Sequence, residues 1–135
     1  MSRCTFLEKG DGMDRAGAQR WLDRYVEAWR ANDRDLIGDL FSEDISYRYH
    51  PYDEPVVGRS KIVDSWLESP DEPDSWEAAY VPYALEGDRL VAIGKSRYDA
   101  TDKHPARTYH NAFLIEFDSE GRCREFTEYF LREPA

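Results

Sequence analysis

Hydrophobic positions recur at helical spacing in the first half of the chain and alternate in the second. Ala18, Trp21, Leu22, Tyr25, Val26 and Trp29 fall three and four apart, which predicts an amphipathic helix broken at Asn32-Asp33. Leu36, Ile37, Leu40 and Phe41 predict a second, short helix. Ile45 to Tyr49 alternates as a short strand, and Pro51 and Pro55 mark the loop after it. Gly58-Arg59-Ser60 opens a third helix with Ile62, Val63, Trp66 and Leu67 inward and a stop before Pro70. From Trp76 the pattern is strand-like. Four long strands run from Trp76 to Glu86, Leu90 to Ala100, Arg107 to Phe117 and Arg122 to Leu131, with a tight hairpin at Gly87-Asp88. Helices first and a meander after define an α+β class. A strongly curved antiparallel sheet packed against three N-terminal helices would enclose a cone with an interior. Residues 1–13 show no periodicity and are expected to form a flexible arm ahead of a single domain over 14–133. Met13 is itself a candidate start, which would make the arm an upstream extension.

Composition narrows the function classes. A chain of 135 residues with 41% hydrophobic residues and four Trp, nine Tyr and six Phe carries enough apolar surface for one core. The net charge of −10 argues against nucleic acid and anionic membranes as partners. The two cysteines, Cys4 and Cys123, are not expected to pair and fit a reducing compartment. With no transmembrane-length apolar run and no signal-peptide core, the expectation is a soluble, cytoplasmic protein. His50, His104 and His110 are scattered, no Gly-rich phosphate loop follows a strand, and no nucleophile motif is present, so neither metal nor cofactor is expected.

One residue stands out in the last strand. Side chains alternate along a strand, so Phe126, Glu128 and Phe130 point the same way. A carboxylate between two phenylalanines costs free energy unless it is paired or lines a wet cavity. The bland alternative is an edge strand whose Glu128 reaches solvent.

The order of elements, with the words Leu40-Phe41-Ser42-Glu43-Asp44-Ile45, Gly58-Arg59-Ser60-Lys61-Ile62, Phe117-Asp118-Ser119-Glu120-Gly121-Arg122 and Thr127-Glu128-Tyr129-Phe130, resembles the SnoaL-like families. These belong to the nuclear transport factor 2-like (cystatin-like) superfamily. The resemblance covers about residues 14 to 131 and implies an apolar pocket under a curved sheet, and often a homodimer through the outer face. Those families host both enzymes and non-catalytic binders. Steroid isomerases of the superfamily match at Tyr25, but their base and acid positions fall here on Tyr49 and Phe113, so steroid-type isomerisation is not expected. Limonene epoxide hydrolases are similar in two words, Arg97-Tyr98-Asp99 and Glu128-Tyr129-Phe130, with Tyr47 and Tyr49 near the positions that hold water in that family. Glu stands here in place of their Asp, and their asparagine is missing.

The expected site follows. Glu128, Asp99 and Arg97 form a candidate catalytic trio in which the guanidinium bridges two acids of unequal pKa. Tyr25, Trp29, Tyr47, Tyr49, His50, Trp66, Asn111, Phe113, Phe126 and Phe130 would line a pocket for a small apolar or aromatic ligand. Hydrolase- or isomerase-type acid/base chemistry is the leading reading. A non-catalytic ligand-binding or dimerisation module is the alternative, with Arg97 and Glu128 as a cross-strand surface ion pair.

Overall fold

The computed structural model describes residues 13–134. The expected arm therefore lies outside the described residues except for Met13, which packs against the core. Helix α1 spans Arg15–Ala31 and buries Ala18, Trp21, Leu22 and Tyr25, as anticipated from the spacing, together with Ala28, while Val26 and Trp29 are partly buried. Asp14 caps its start by accepting from the Gly17 amide, and Asn32, with φ of 52°, ends it in the left-handed region. Helix α2 is a single turn, Arg34–Gly38, and α3 runs Arg59–Glu68 with Ile62 and Val63 buried.

Six strands form one sheet: β1 (Phe41–Arg48), β2 (Val56–Val57), β3 (Trp76–Glu86), β4 (Arg89–Tyr98), β5 (Arg107–Phe117) and β6 (Cys123–Arg132), in the spatial order β2-β1-β6-β5-β4-β3. The architecture is α+β, a curved sheet with N-terminal helices. Three details depart from the sequence reading. The sheet is not wholly antiparallel: β1 runs parallel to β6, with Tyr47 opposite Phe126. Phe41 begins β1 instead of ending α2, because the Leu40 carbonyl accepts the Cys123 amide and the chain is already pairing with β6 there. The two-residue strand β2, set against β1, was not anticipated.

Aromatic packing joins the helices to the sheet. The Trp21 indole donates to the Leu40 carbonyl at 3.1 Å, tying α1 to the head of β1. Phe126 stacks on Tyr47 with ring centroids 4.4 Å apart and lies nearly parallel to Tyr25 at 5.7 Å. Burying a side chain of this size contributes about 1.5–3 kcal/mol, so these rings supply much of the adhesion between α1, β1 and β6.

The concave row Tyr80, Gly94, Asn111 and Phe130 runs across four strands. Gly94 is required there by close approach. A Cβ at this position would sit 2.0 Å from the Ala79 carbonyl oxygen and 2.5 Å from the Tyr80 ring. The atom it meets first is backbone and cannot swing away. Gly94→Ala should therefore cost about 1–3 kcal/mol, read as a lower urea midpoint with an unchanged slope.

Candidate active site

The cavity between α1, α3 and the concave face of the sheet has a volume of about 260 Å³. Tyr25 and Trp29 reach it from α1, Tyr47 and Tyr49 from β1 and the residue after it, Trp66 from α3, and Glu128 from β6. Glu128 is half-buried. One of its oxygens, Oε2, accepts a hydrogen bond from Asn111 Nδ2 at 2.8 Å. Asn111 Oδ1 in turn accepts from Ser96 Oγ at 3.1 Å, which fixes the amide so that its NH₂ faces the carboxylate. Ser96 and Asn111 are both buried. The result is a chain of three polar groups across β4, β5 and β6, and among the described residues no hydrogen bond reaches Glu128 Oε1.

Burial dominates the electrostatics. Desolvation raises the Glu128 carboxyl from the ordinary 4.5 to about 7, against the Asn111 hydrogen bond and the nearby His50, both of which favour the ionised form. The phenols of Tyr25 and Tyr47 are pushed well above their usual range, first by burial and then by neighbouring tyrosine hydroxyls and Glu128. Tyr98 moves up for the same first reason, with Asp71 next. Near neutral pH these tyrosines are hydroxyl donors rather than phenolates. Tyr25 and Tyr47 hydroxyls lie 3.3 Å apart, and the Tyr49 hydroxyl is 2.6 Å from Ser65 Oγ.

Arg97 and Asp99 do not join Glu128. Arg97 Nη1 donates to Asp99 Oδ1 at 2.9 Å, with side chains about half exposed (48% and 50%), and Arg97 Nη2 approaches Glu77 Oε2 at 3.8 Å. The cause is strand parity. Tyr98 and Ser96 take the inward positions of β4, so Arg97 between them faces outward. The expected cross-strand pair between Arg97 and Glu128 is likewise replaced by the Arg97–Glu77–Asp99 group on the convex side.

The other expected lining residues divide. Tyr25, Trp29, Tyr47, Tyr49 and Trp66 border the cavity. Phe113 and Phe126 are instead fully buried in the core, packed on each other at 4.8 Å. Phe130 is 40% exposed and, with His50, borders a separate open groove on the other side of Glu128. His50 Nδ1 lies 2.8 Å from Asp53 Oδ2. Sequence reasoning missed Asp71, Ser96, Tyr80 and Tyr98, all of which border the cavity. Asp71 is held by the Trp29 indole, which donates to its Oδ2 at 3.0 Å. Ser96 and Tyr98 share the inward parity of Leu90, which pairs through Ile115 with Phe126, a register that only the sheet reveals. Among the described residues, no group of three or more His, Cys, Asp or Glu is placed to hold a metal ion.

The sequence profile of SnoaL-like domains matches residues 22–126, most of the chain and every residue that borders the cavity except Glu128. The chain belongs to the SnoaL-like domain family. This SnoaL-like domain is similar in fold to several solved structures. An NTF-2 like protein of unknown function from Burkholderia xenovorans is 21% identical with a TM-score of 0.67, covering 92% of this chain and 89% of the other. An LEH-like epoxide hydrolase from M. tuberculosis is 12% identical with a TM-score of 0.63, covering 86% and 84%. A protein of unknown function with a cystatin-like fold from Methylobium petroleophilum is 16% identical with a TM-score of 0.64, covering 92% and 82%. No curated protein matches the sequence. At these identities the likeness establishes the fold. No helix among the described residues is long and apolar enough to cross a membrane.

The raised carboxyl has a consequence for stability. Because the folded-state pKa of about 7 lies above the ordinary 4.5, ionising Glu128 is harder in the folded protein than in the unfolded one. The penalty is absent below pH 4.5, grows as pH rises toward 7 and is complete above it. Glu128→Gln should therefore stabilise the protein at pH 8, by up to about 3 kcal/mol. The gain should vanish below pH 4.5. Denaturant unfolding of both proteins across pH 4–8 measures this directly, and a pH-independent difference would refute the assignment.

Proposed function

We propose that this SnoaL-like domain is a cofactor-independent enzyme that carries out acid/base chemistry, of hydrolase or isomerase type, on a small apolar or aromatic ligand. Glu128 is the group that moves the proton. One observation carries the reading: a carboxyl raised to about 7 that borders an aromatic cavity, with one oxygen held by Asn111. A group with that pKa is populated in both protonation states at neutral pH, which suits it to accept a proton from water or from a substrate C–H and return it later. The hydroxyls of Tyr47 and Tyr49 are placed to orient a water or a ligand oxygen beside it. The role of second acid, first given to Asp99, passes to Asp71, which borders the same cavity. The likeness to an LEH-like epoxide hydrolase supports a hydrolytic version.

The outward position of Arg97 and Asp99 favours a second reading, a non-catalytic binder of the same ligand class. Turnover separates the two. Aromatic epoxides and enolisable ketones incubated in H₂¹⁸O or D₂O would be followed by mass spectrometry for oxygen or deuterium incorporation. The enzyme reading expects Glu128→Gln to lower the rate by about 10²–10⁴-fold, with Arg97→Ala and Asp99→Asn near wild type. Undiminished turnover in Glu128→Gln would remove the catalytic role.

The same proposal takes the protein as a homodimer in a cytoplasmic setting. Support for the dimer comes from the convex face, where Val81, Ile93, Ala112 and Tyr129 align as one apolar row across β3, β4, β5 and β6. Val81, Ile93 and Tyr129 are exposed there, and a face of this kind is ordinarily covered. A reducing compartment suits the buried thiol of Cys123. Ile93→Glu should convert a dimer into a monomer in light scattering after size exclusion, with unchanged far-ultraviolet circular dichroism. A wild-type monomer at the same concentration would end the dimer proposal.

A further inference from the structure

The charged and hydrogen-bonding groups of the cavity are unbalanced. Its bordering residues include two carboxylates, Glu128 and Asp71, and no Lys, Arg or His. Seven of them are aromatic. Part of the donor capacity is engaged within the wall, Tyr25 with Tyr47, Tyr49 with Ser65, and Trp29 with Asp71, and each hydroxyl pair keeps one O–H for a ligand. The acceptors differ in kind, because two of them are carboxylates with no cation among the bordering residues. Two basic side chains stand outside this lining. Arg107 stacks over the Tyr98 ring at 4.6 Å in an adjoining groove that Glu128 and Asp71 also border, and His50 borders the open groove beside Phe130.

Such a wall discriminates by charge. An anionic ligand would meet two carboxylates, with no countercharge among the residues that border the cavity. A neutral ligand would leave the carboxylates uncompensated in an apolar space. A cation satisfies both parts of the wall, since aromatic faces attract positive charge and a carboxylate pairs with an ammonium N–H. The protein already places a guanidinium over Trp76 at 4.3 Å and another over Tyr98, so its rings accept cations in this geometry.

We propose that the cavity selects a small organic ammonium, an alkyl or arylalkyl amine whose charged nitrogen sits between Glu128 and Asp71 among the aromatic side chains. The proposal rests on the assignment of this cavity as the site and names its ligand class. It also accounts for the unusual carboxyl: the desolvation that holds Glu128 half-protonated at neutral pH is offset when a countercharge arrives.

The test uses one skeleton in three charge states. 2-Phenylethylammonium, 2-phenylethanol and phenylacetate share an aromatic body and differ in their polar end. Choline and its neutral isostere 3,3-dimethylbutan-1-ol form a smaller pair. Binding to the full-length protein is measured by calorimetry at pH 7.5 and 0.15 M salt, and by quenching of tryptophan emission. In at least one series the cation should bind ten-fold or more tightly than its neutral isostere, with phenylacetate weakest. Glu128→Gln and Asp71→Asn should each erase most of that preference. Glu120→Gln, which removes the same charge from an exposed turn, should leave it intact and so exclude a general effect of the −10 net charge. The wild-type comparison decides the matter even if Asp71→Asn fails to fold. Equal or tighter binding of the alcohols, a preference that survives Glu128→Gln, or no binding by any member would overturn the proposal. If the alcohols win while Glu128→Gln still abolishes turnover, only the ammonium class falls. If turnover survives Glu128→Gln while the cation preference holds, the catalytic reading falls and the binding site stands.

Discussion

Burial falls off along one face of β6, and the rest of the site follows from that gradient. Phe126 lies wholly inside against Tyr47 and Tyr25, Glu128 is half-buried, and Phe130 reaches solvent at 40% exposure. The carboxylate stands at the step between dry core and open groove. One position deeper it would be costly to ionise at all, and one position further out it would titrate as an ordinary surface acid. Its intermediate depth requires a second strand to hold it, which is the task of Asn111 on β5 and, through Asn111, of Ser96 on β4. The polar chain therefore couples the position of one acid to the register of three strands.

That coupling explains why so many rings surround the cavity without filling it. Tyr25, Trp66 and Phe41 pack edge to face, and the Trp29 ring lies flat on Trp76 at 3.6 Å. Rigid rings that lean on one another hold their positions with little loss of rotamer freedom, so they can keep α1 and α3 off the sheet. Aliphatic side chains of the same volume would collapse into the space more readily.

The elements were legible wherever periodicity was unambiguous. The buried stripe of α1, the Gly87-Asp88 hairpin and the prominence of Glu128 all follow from spacing alone. The failures have physical causes. On β4 the run Leu90-Val91-Ala92-Ile93 is apolar on both faces, one packed on the core and the other on the convex row, so alternation could not say which way Arg97 pointed. A short word shared with epoxide hydrolases filled that gap and placed Arg97 and Asp99 on the wrong side. Asp71 lies in the turn between α3 and β3, where no period operates, and only the indole of Trp29 brings it to the cavity. The parallel pairing of β1 with β6 is likewise invisible to local patterns, since its partners lie about eighty residues apart.

The parallel pairing also dictates an order of events during synthesis. The last strand to leave the ribosome sits in the interior of the sheet, between the first strand made and the fifth. Until it arrives, β1 and β5 each present an unpaired edge, and the rings of Tyr47 and Phe113 lack their Phe126 neighbour. Completion of the hollow therefore waits for the C-terminal segment, and the nascent chain passes through a stage in which its own edges invite pairing with foreign strands.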